Sequence, residues 1–262
     1  MILPLHRETQ RGKKGSSRRL FALVFASGIT GSTALLASKP CSTNLWSGLS
    51  RELVLTQAQS SLDLRPAELA KIVKFWEAKY RLCVASWAPH YNEVTNLIRK
   101  HGCKYVCEVG IAFGTQSEHI LANTEVELLC SIDPYVLYPN DLFSRGAKSQ
   151  RWMDVLAHIT KARLSRYGAR SHFIRKKSKD AILLIANSSL DLVYIDGEHS
   201  YQAVKHDLRA WYKKVRSGGL IVGDDYKHKS FPGLKKAVDE FVRTNRLHLT
   251  LLRGNKFVIT KR

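Results

Sequence analysis

The residues best suited to chemistry lie between Ser189 and Tyr226, in SLDLVYIDGEHSYQAVKHDLRAWYKKVRSGGLIVGDDY. Asp196 closes one apolar run, Asp224 and Asp225 close another, and His199 stands three residues past Asp196. Carboxylates in such a group can hold Mg²⁺, which binds through one or two of them and keeps waters for a substrate to displace. The cation would lower the pKa of a bound hydroxyl and orient it. Without one, three close carboxylates would repel and raise one another's pKa, a physical reason to expect it. A histidine with an ordinary pKa of about 6.5 takes a proton near neutrality.

The elements that must position these groups are legible around them. Leu190 and Leu192 to Ile195 form a short apolar run of the kind buried on both faces of a parallel sheet. After Ser200, residues Tyr201, Val204, Leu208, Trp211, Tyr212 and Val215 recur at helical spacing. Ser217-Gly218-Gly219 is expected to end that helix, with glycine in the left-handed region, and Leu220 to Val222 to form a second buried strand. In open parallel sheets ligands bind outside the carboxyl ends of the strands, where all these acids fall.

Upstream, Glu108-Val-Gly110-Ile-Ala112-Phe-Gly114 leaves a strand and enters a helix. Glycines there let a ligand approach the backbone, and the helix N-terminus favours polar or anionic groups. Glu108 occupies the first glycine position of a dinucleotide GxGxxG, which excludes that motif. Asp133 ends the next strand, and an acid about 20 residues beyond the glycines suits ribose hydroxyls. Together they indicate an adenosine-containing ligand.

With these motifs in order, residues 90 to 262 resemble a class I S-adenosylmethionine-dependent methyltransferase. The stretch IDGEHSYQAVKHDL…SGGLIVGDDY is similar to methyltransferase family 24 and to metal-dependent O-methyltransferases. The resemblance implies a Rossmann-like α/β fold with a mostly parallel seven-stranded sheet, a C-terminal antiparallel hairpin and helices on both faces. It implies methyl transfer from S-adenosylmethionine to a small-molecule hydroxyl, assisted by Mg²⁺ or another divalent cation. Glu108, Gly110, Ala112, Gly114, Asp133 and Asp196 would bind the cofactor, and Asp196, Asp224 and Asp225 the metal. His199, where the O-methyltransferases carry a lysine, would be catalytic together with Asp196. The substrate mouth would be built by residues 135–148 and 226–232.

The rest of the chain alternates strand and helix, from a strand at Tyr105 to Val109 to closing strands at His248 to Leu252 and Lys256 to Thr260. Such alternation argues for a parallel sheet. Helices are expected over Glu68 to Leu82, after Pro66, and over Asn92 to Lys100, with a linker from Lys39 to Ser50. Five scattered cysteines, none in a CxxC pair, indicate neither a zinc site nor a disulfide framework, and suit a reducing compartment.

Lys and Arg number 42 against 22 acids, a formal +20, which favours anionic partners. A nucleic-acid or protein acceptor is the alternative this raises, and a non-catalytic cofactor-binding module is a third; the small-molecule acceptor is favoured. A homodimer is compatible with the sequence. Residues 1 to 45 read as a basic extension, and 46 to 262 as the methyltransferase domain with its N-terminal helices. Leu20 to Ala37 is apolar behind Arg18-Arg19, compatible with a twin-arginine signal, a transit peptide or a marginal membrane anchor. A cofactor supplied inside cells argues for the cytoplasm, with an organellar or membrane-associated setting as alternatives.

Overall fold

The computed structural model describes residues 44–138 and 143–262. The apolar segment 20–37, and Cys41, lie outside them. Chain order is α1 (Arg51–Leu62), α2 (Pro66–Trp87), α3 (Tyr91–His101), β1 (Tyr105–Val109), α4 (Thr115–Asn123), β2 (Leu128–Ile132) and α5 (Gln150–Ser165). It continues β3 (Ser171–Ile174), α6 (Ser178–Ala181), β4 (Leu190–Ile195), α7 (Tyr201–Lys214), β5 (Val215–Gly223), α8 (Pro232–Thr244), β6 (Leu249–Leu251) and β7 (Phe257–Thr260).

The seven strands form one sheet in the order β3-β2-β1-β4-β5-β7-β6. Pairing is parallel from β3 through β5, and β7 runs antiparallel to both β5 and β6. The expected sheet and terminal hairpin are therefore present. Successive side chains of a strand point to opposite faces, and each face has its own helices. Val106, Leu129, Leu192, Leu220 and Val258 pack with α1 to α5. Cys107, Cys130, Val193, Ile221 and Ile259 pack with α6 to α8. Cys107 and Cys130 are register partners, buried as expected, and both are free thiols.

Ser217-Gly218-Gly219 does not end α7. The helix stops at Lys214, because Val215 is already fully buried and paired with Leu190. The next pair is Leu192 with Leu220, so Arg216 to Gly219 bulge from β5. Gly218 takes φ +73° in the bulge, and a Cβ on Gly219 would lie 2.8 Å from the Asp191 carbonyl oxygen. Glycine serves a bulge in a strand here, not a helix cap.

Two N-terminal features also depart from expectation. Part of the expected linker is packed, since Leu45 is buried and Trp46 Nε1 donates to Glu77 Oε1 at 2.5 Å. Helix α1 follows, capped by Ser50, whose hydroxyl accepts from the Leu53 amide. It buries only Val54 and Ala58, so its apolar stripe is too thin to announce a helix. Among the described residues no helix is long and apolar enough to cross a membrane.

Candidate active site

The turn from β1 into α4 is built on left-handed backbone, with φ +86° at Gly110, +47° at Ala112 and +69° at Gly114. Both glycines are demanded by the protein itself. A Cβ on Gly110 would lie 2.0 Å from the Asp196 carbonyl oxygen, and one on Gly114 2.7 Å from Thr160 Cγ2. Asp133 pins the turn from below: its Oδ2 accepts from the Ile111 and Ala112 amides at 3.1 Å each. Its Oδ1 accepts from the Tyr135 amide at 2.8 Å, and Tyr135 OH donates to the Ala112 carbonyl at 2.6 Å. Phe113 anchors the same turn in an aromatic cluster, with ring centroids 5.2 Å from Tyr80 and 5.1 Å from Phe143.

Glu108 lies beneath the turn, buried, accepting from Ser117 Oγ at 2.5 Å. Burial, reinforced by the charges of Asp196 and Asp133 and opposed by Ser117 and Lys256, pushes its carboxyl up to about 8. The folded protein thus holds a proton here that the unfolded chain releases. Stability from this group is present at low pH and lost as pH rises from the ordinary carboxylate range toward 8. Glu108→Gln should flatten that slope, by an amount on the order of a few kcal/mol across the window. Urea denaturation of both proteins at pH 5 and pH 8 checks it; an unchanged slope refutes it.

Gln116, in the first turn of α4, donates from Nε2 to the Tyr91 carbonyl, whereas its buried Oε1 has no protein partner. A buried acceptor without a partner is costly. Among the described residues it is the buried side-chain polar atom of this turn left without a protein partner.

The second half of the site follows β4 and β5. Tyr194 and Asp196 share a strand face, and register places Tyr194 opposite Val222, two residues before Asp224. Tyr194 OH lies 2.7 Å from Asp224 Oδ2 and 3.3 Å from Asp196 Oδ2. Lys256, immediately before β7, is buried; its ammonium hydrogen-bonds Asp224 Oδ2 and lies 3.0 Å from Tyr194 OH. Asp224 Oδ1 accepts the Asp225 amide at 2.8 Å, which helps hold Asp225 at φ +59°.

Asp225 turns away toward His199. His199 Nε2 lies 3.1 Å from Asp225 Oδ2 and 3.5 Å from Asp196 Oδ1, with neither contact aligned as a hydrogen bond. The imidazole stacks on Phe231 at 4.3 Å and 13°, and Phe231 stacks on His228 at 4.7 Å. Burial works against the imidazolium, but Asp196 and Asp225 outweigh it and raise His199 to about 10. At neutral pH the imidazole is therefore charged. Asp196 is itself raised, first by burial and then by Asp224.

The structure thus gathers Asp196, His199, Asp224 and Asp225 at one end of the sheet, beside the turn of Glu108, Gly110, Ala112 and Gly114. It does not aim the three expected metal ligands at one point. The side chains whose ligand atoms converge, within 4.8 Å of one another, are Asp196, His199 and Asp225. Asp224 is spent on Lys256, Tyr194 and the Asp225 amide. The cation that relieves the carboxylates is supplied by the chain, as Lys256, so their repulsion no longer calls for a metal. Tyr135 and Phe231 fall within the expected substrate mouth, whereas Lys256, Tyr194 and Gln116 join the site without being expected there. For Tyr194 a signal existed, an i, i+2 spacing to Asp196 on one strand; for Lys256 there was none.

A glycine turn after β1 and acids after β2, β4 and β5, on a sheet ordered β3-β2-β1-β4-β5-β7-β6 with β7 reversed, define a class I methyltransferase fold. Residues 107–226 match the family model described as a methyltransferase domain. Over this stretch, a little under half of the chain, the match is to a methyltransferase domain and takes in the glycine turn and the acids after β2, β4 and β5. An uncharacterised protein of Acanthamoeba polyphaga mimivirus is 27% identical over 184 residues, 66% of this chain and 77% of that protein. Two solved structures are similar at low identity. An O-methyltransferase from Bacillus cereus in complex with SAH gives 13% identity and a TM-score of 0.47, with 80% of this chain and 97% of that one covered. A putative caffeoyl-CoA O-methyltransferase from Staphylococcus aureus gives 13% identity, a TM-score of 0.48, and coverage of 82% and 94%.

Proposed function

We propose that the protein transfers a methyl group from S-adenosylmethionine to a hydroxyl oxygen of a small molecule. The observation that carries this reading is the cluster Asp196–His199–Asp225 set directly beside the glycine turn, because proton removal and cofactor binding must meet at one place. When bound, the cofactor supplies an electrophilic sulfonium methyl; the S–CH₃ bond breaks, its electron pair stays on sulfur, and an O–CH₃ bond forms. Gln116, Gly110, Ala112 and Gly114 line the cofactor side, with Glu108 beneath and Asp133 placed to receive ribose hydroxyls. Asp196, a stronger base for its raised pKa, takes the hydroxyl proton. His199, held charged by its neighbours, stabilises the oxyanion that develops. Positioning of the oxygen supplies much of the remaining rate. The expected Mg²⁺ does not suit its expected ligands, since Asp224 is committed elsewhere, and no step is assigned to it.

Calorimetric titration of S-adenosylhomocysteine into the full chain tests the reading. Binding that is weakened at least tenfold in Asp133→Ala is expected; no binding at all would remove the enzyme reading. A second reading, an RNA acceptor, is favoured by the exposed runs Arg175-Lys176-Lys177 and Lys227-His228-Lys229 that follow β3 and β5. Steeply salt-dependent RNA binding would support it, since phosphate contacts release counterions. A cytoplasmic setting accords with the supply of the cofactor.

A further inference from the structure

We propose that Lys256 is a resident cation of the active site, which removes Asp224 from any metal-binding set and lets the site work without a divalent ion. The inference rests on the methyltransferase reading above and concerns how its acidic centre is neutralised. Three carboxylates, Asp196, Asp224 and Asp225, end adjacent strands β4 and β5. In the gap beside them stands an ammonium, not open space. Lys256 is 3% exposed, and its Nζ contacts Asp224 Oδ2 and, at 3.0 Å, Tyr194 OH. Tyr194 is 2% exposed and bridges toward Asp196, so Lys256, Tyr194, Asp224 and Asp196 form one connected buried network.

A divalent ion that took Asp224 as a ligand would have to break this pair. It would leave the ammonium buried, without its counter-ion and facing a dication a few ångströms away. Removing one partner of a buried pair is strongly unfavourable in itself, and like-charge repulsion in a site of low dielectric adds to it. An ion confined to the remaining set would need His199 Nε2 as its third ligand, between Asp196 and Asp225. That would displace the imidazole from its task at the reacting oxygen.

The position of Lys256 follows from the fold. Gly223 pairs with Phe257 across β5 and antiparallel β7, so the residue before Phe257 meets the residue after Gly223. A lysine at that one position is thereby delivered to Asp224. The ring of Tyr194 lies 5.3 Å from the ammonium and covers it from the side.

The experiment is a titration of Mn²⁺, read by electron paramagnetic resonance, into the full chain saturated with S-adenosylhomocysteine. The parent is expected to bind no Mn²⁺ up to about 1 mM, the weak end of specific affinities. Lys256→Met is expected to gain Mn²⁺ affinity by at least tenfold, and Lys256→Arg to gain none. Adding Asp224→Asn to Lys256→Met should abolish the gain. Micromolar Mn²⁺ binding by the parent, lost in either Asp224→Asn or His199→Ala, would overturn the proposal. So would a Lys256→Met protein that binds S-adenosylhomocysteine yet gains no Mn²⁺ affinity. Should Lys256→Met fail to fold, the parent titration decides alone. Failure to bind S-adenosylhomocysteine would instead strike the methyltransferase reading, so the two failures are separable.

Discussion

A Gly110→Ala protein is expected to lose measurable S-adenosylhomocysteine binding and to be destabilised by on the order of 4 kcal/mol. Two effects combine. The residue sits at φ +86°, where a side chain is strained by about 1–3 kcal/mol. Its new Cβ would also lie 2.0 Å from the Asp196 carbonyl oxygen and 2.6 Å from Gly197 Cα. Those neighbours are backbone and cannot swing aside, so the ends of β1 and β4 must part. Their separation would move Asp196 and His199 away from the glycine turn. Gly102→Ala is the control: it has φ +58° but nothing within 4 Å of its Cβ. It should cost about 1–2 kcal/mol of backbone strain and leave binding intact. Thermal melts with and without S-adenosylhomocysteine separate the two, and a Gly110→Ala protein that binds like the parent would refute the argument.

Arg163→Met should destabilise the protein by about 3–5 kcal/mol, the range for breaking a buried ion pair. Arg163 is fully buried on α5, with Nη1 2.6 Å from Glu118 Oε2 on α4 and Nη2 2.5 Å from the Leu45 carbonyl. Its guanidinium also lies over the Tyr80 ring of α2 at 5.3 Å. One side chain therefore ties the N-terminal segment and α2 to the helices behind the glycine turn. Methionine keeps the stem and removes the charge, leaving Glu118 only its contact with Arg166. By comparison, Arg51→Met removes a 3.4 Å pair with Glu77 from an exposed arginine and should cost less than about 1 kcal/mol. Urea denaturation measures both, and equal small effects would show that the Arg163 pair is not what secures the segment.

The two variants bear on parts of the molecule that differ in how far the sequence announces them. Gly110 belongs to a motif that declares itself, since an acid and two glycines between a strand and a helix have few structural uses. Yet the glycines prove to be required by the Asp196 backbone and by Thr160, so their presence speaks first of packing. Arg163 declares nothing, because a basic residue near the end of a helix ordinarily faces water. Helix α1 was equally silent, with two buried residues in three turns. The bulge at Arg216 to Gly219 shows the same limit: glycine ends helices and kinks strands alike, and only the pairing of Val215 with Leu190 distinguishes them.

By itself the sequence determined the alternation of strands and helices, the glycine turn and the acids that close β2, β4 and β5. These are local matters, set by periodicity along the chain and by residue types that few turns tolerate. Only the tertiary structure decided which acids act together. Asp224 and Asp225 are neighbours in sequence, yet one faces Lys256 and the other His199. The physical reason is register: antiparallel pairing of β5 with β7 brings a lysine from 32 positions away onto Asp224, and no local pattern encodes that meeting.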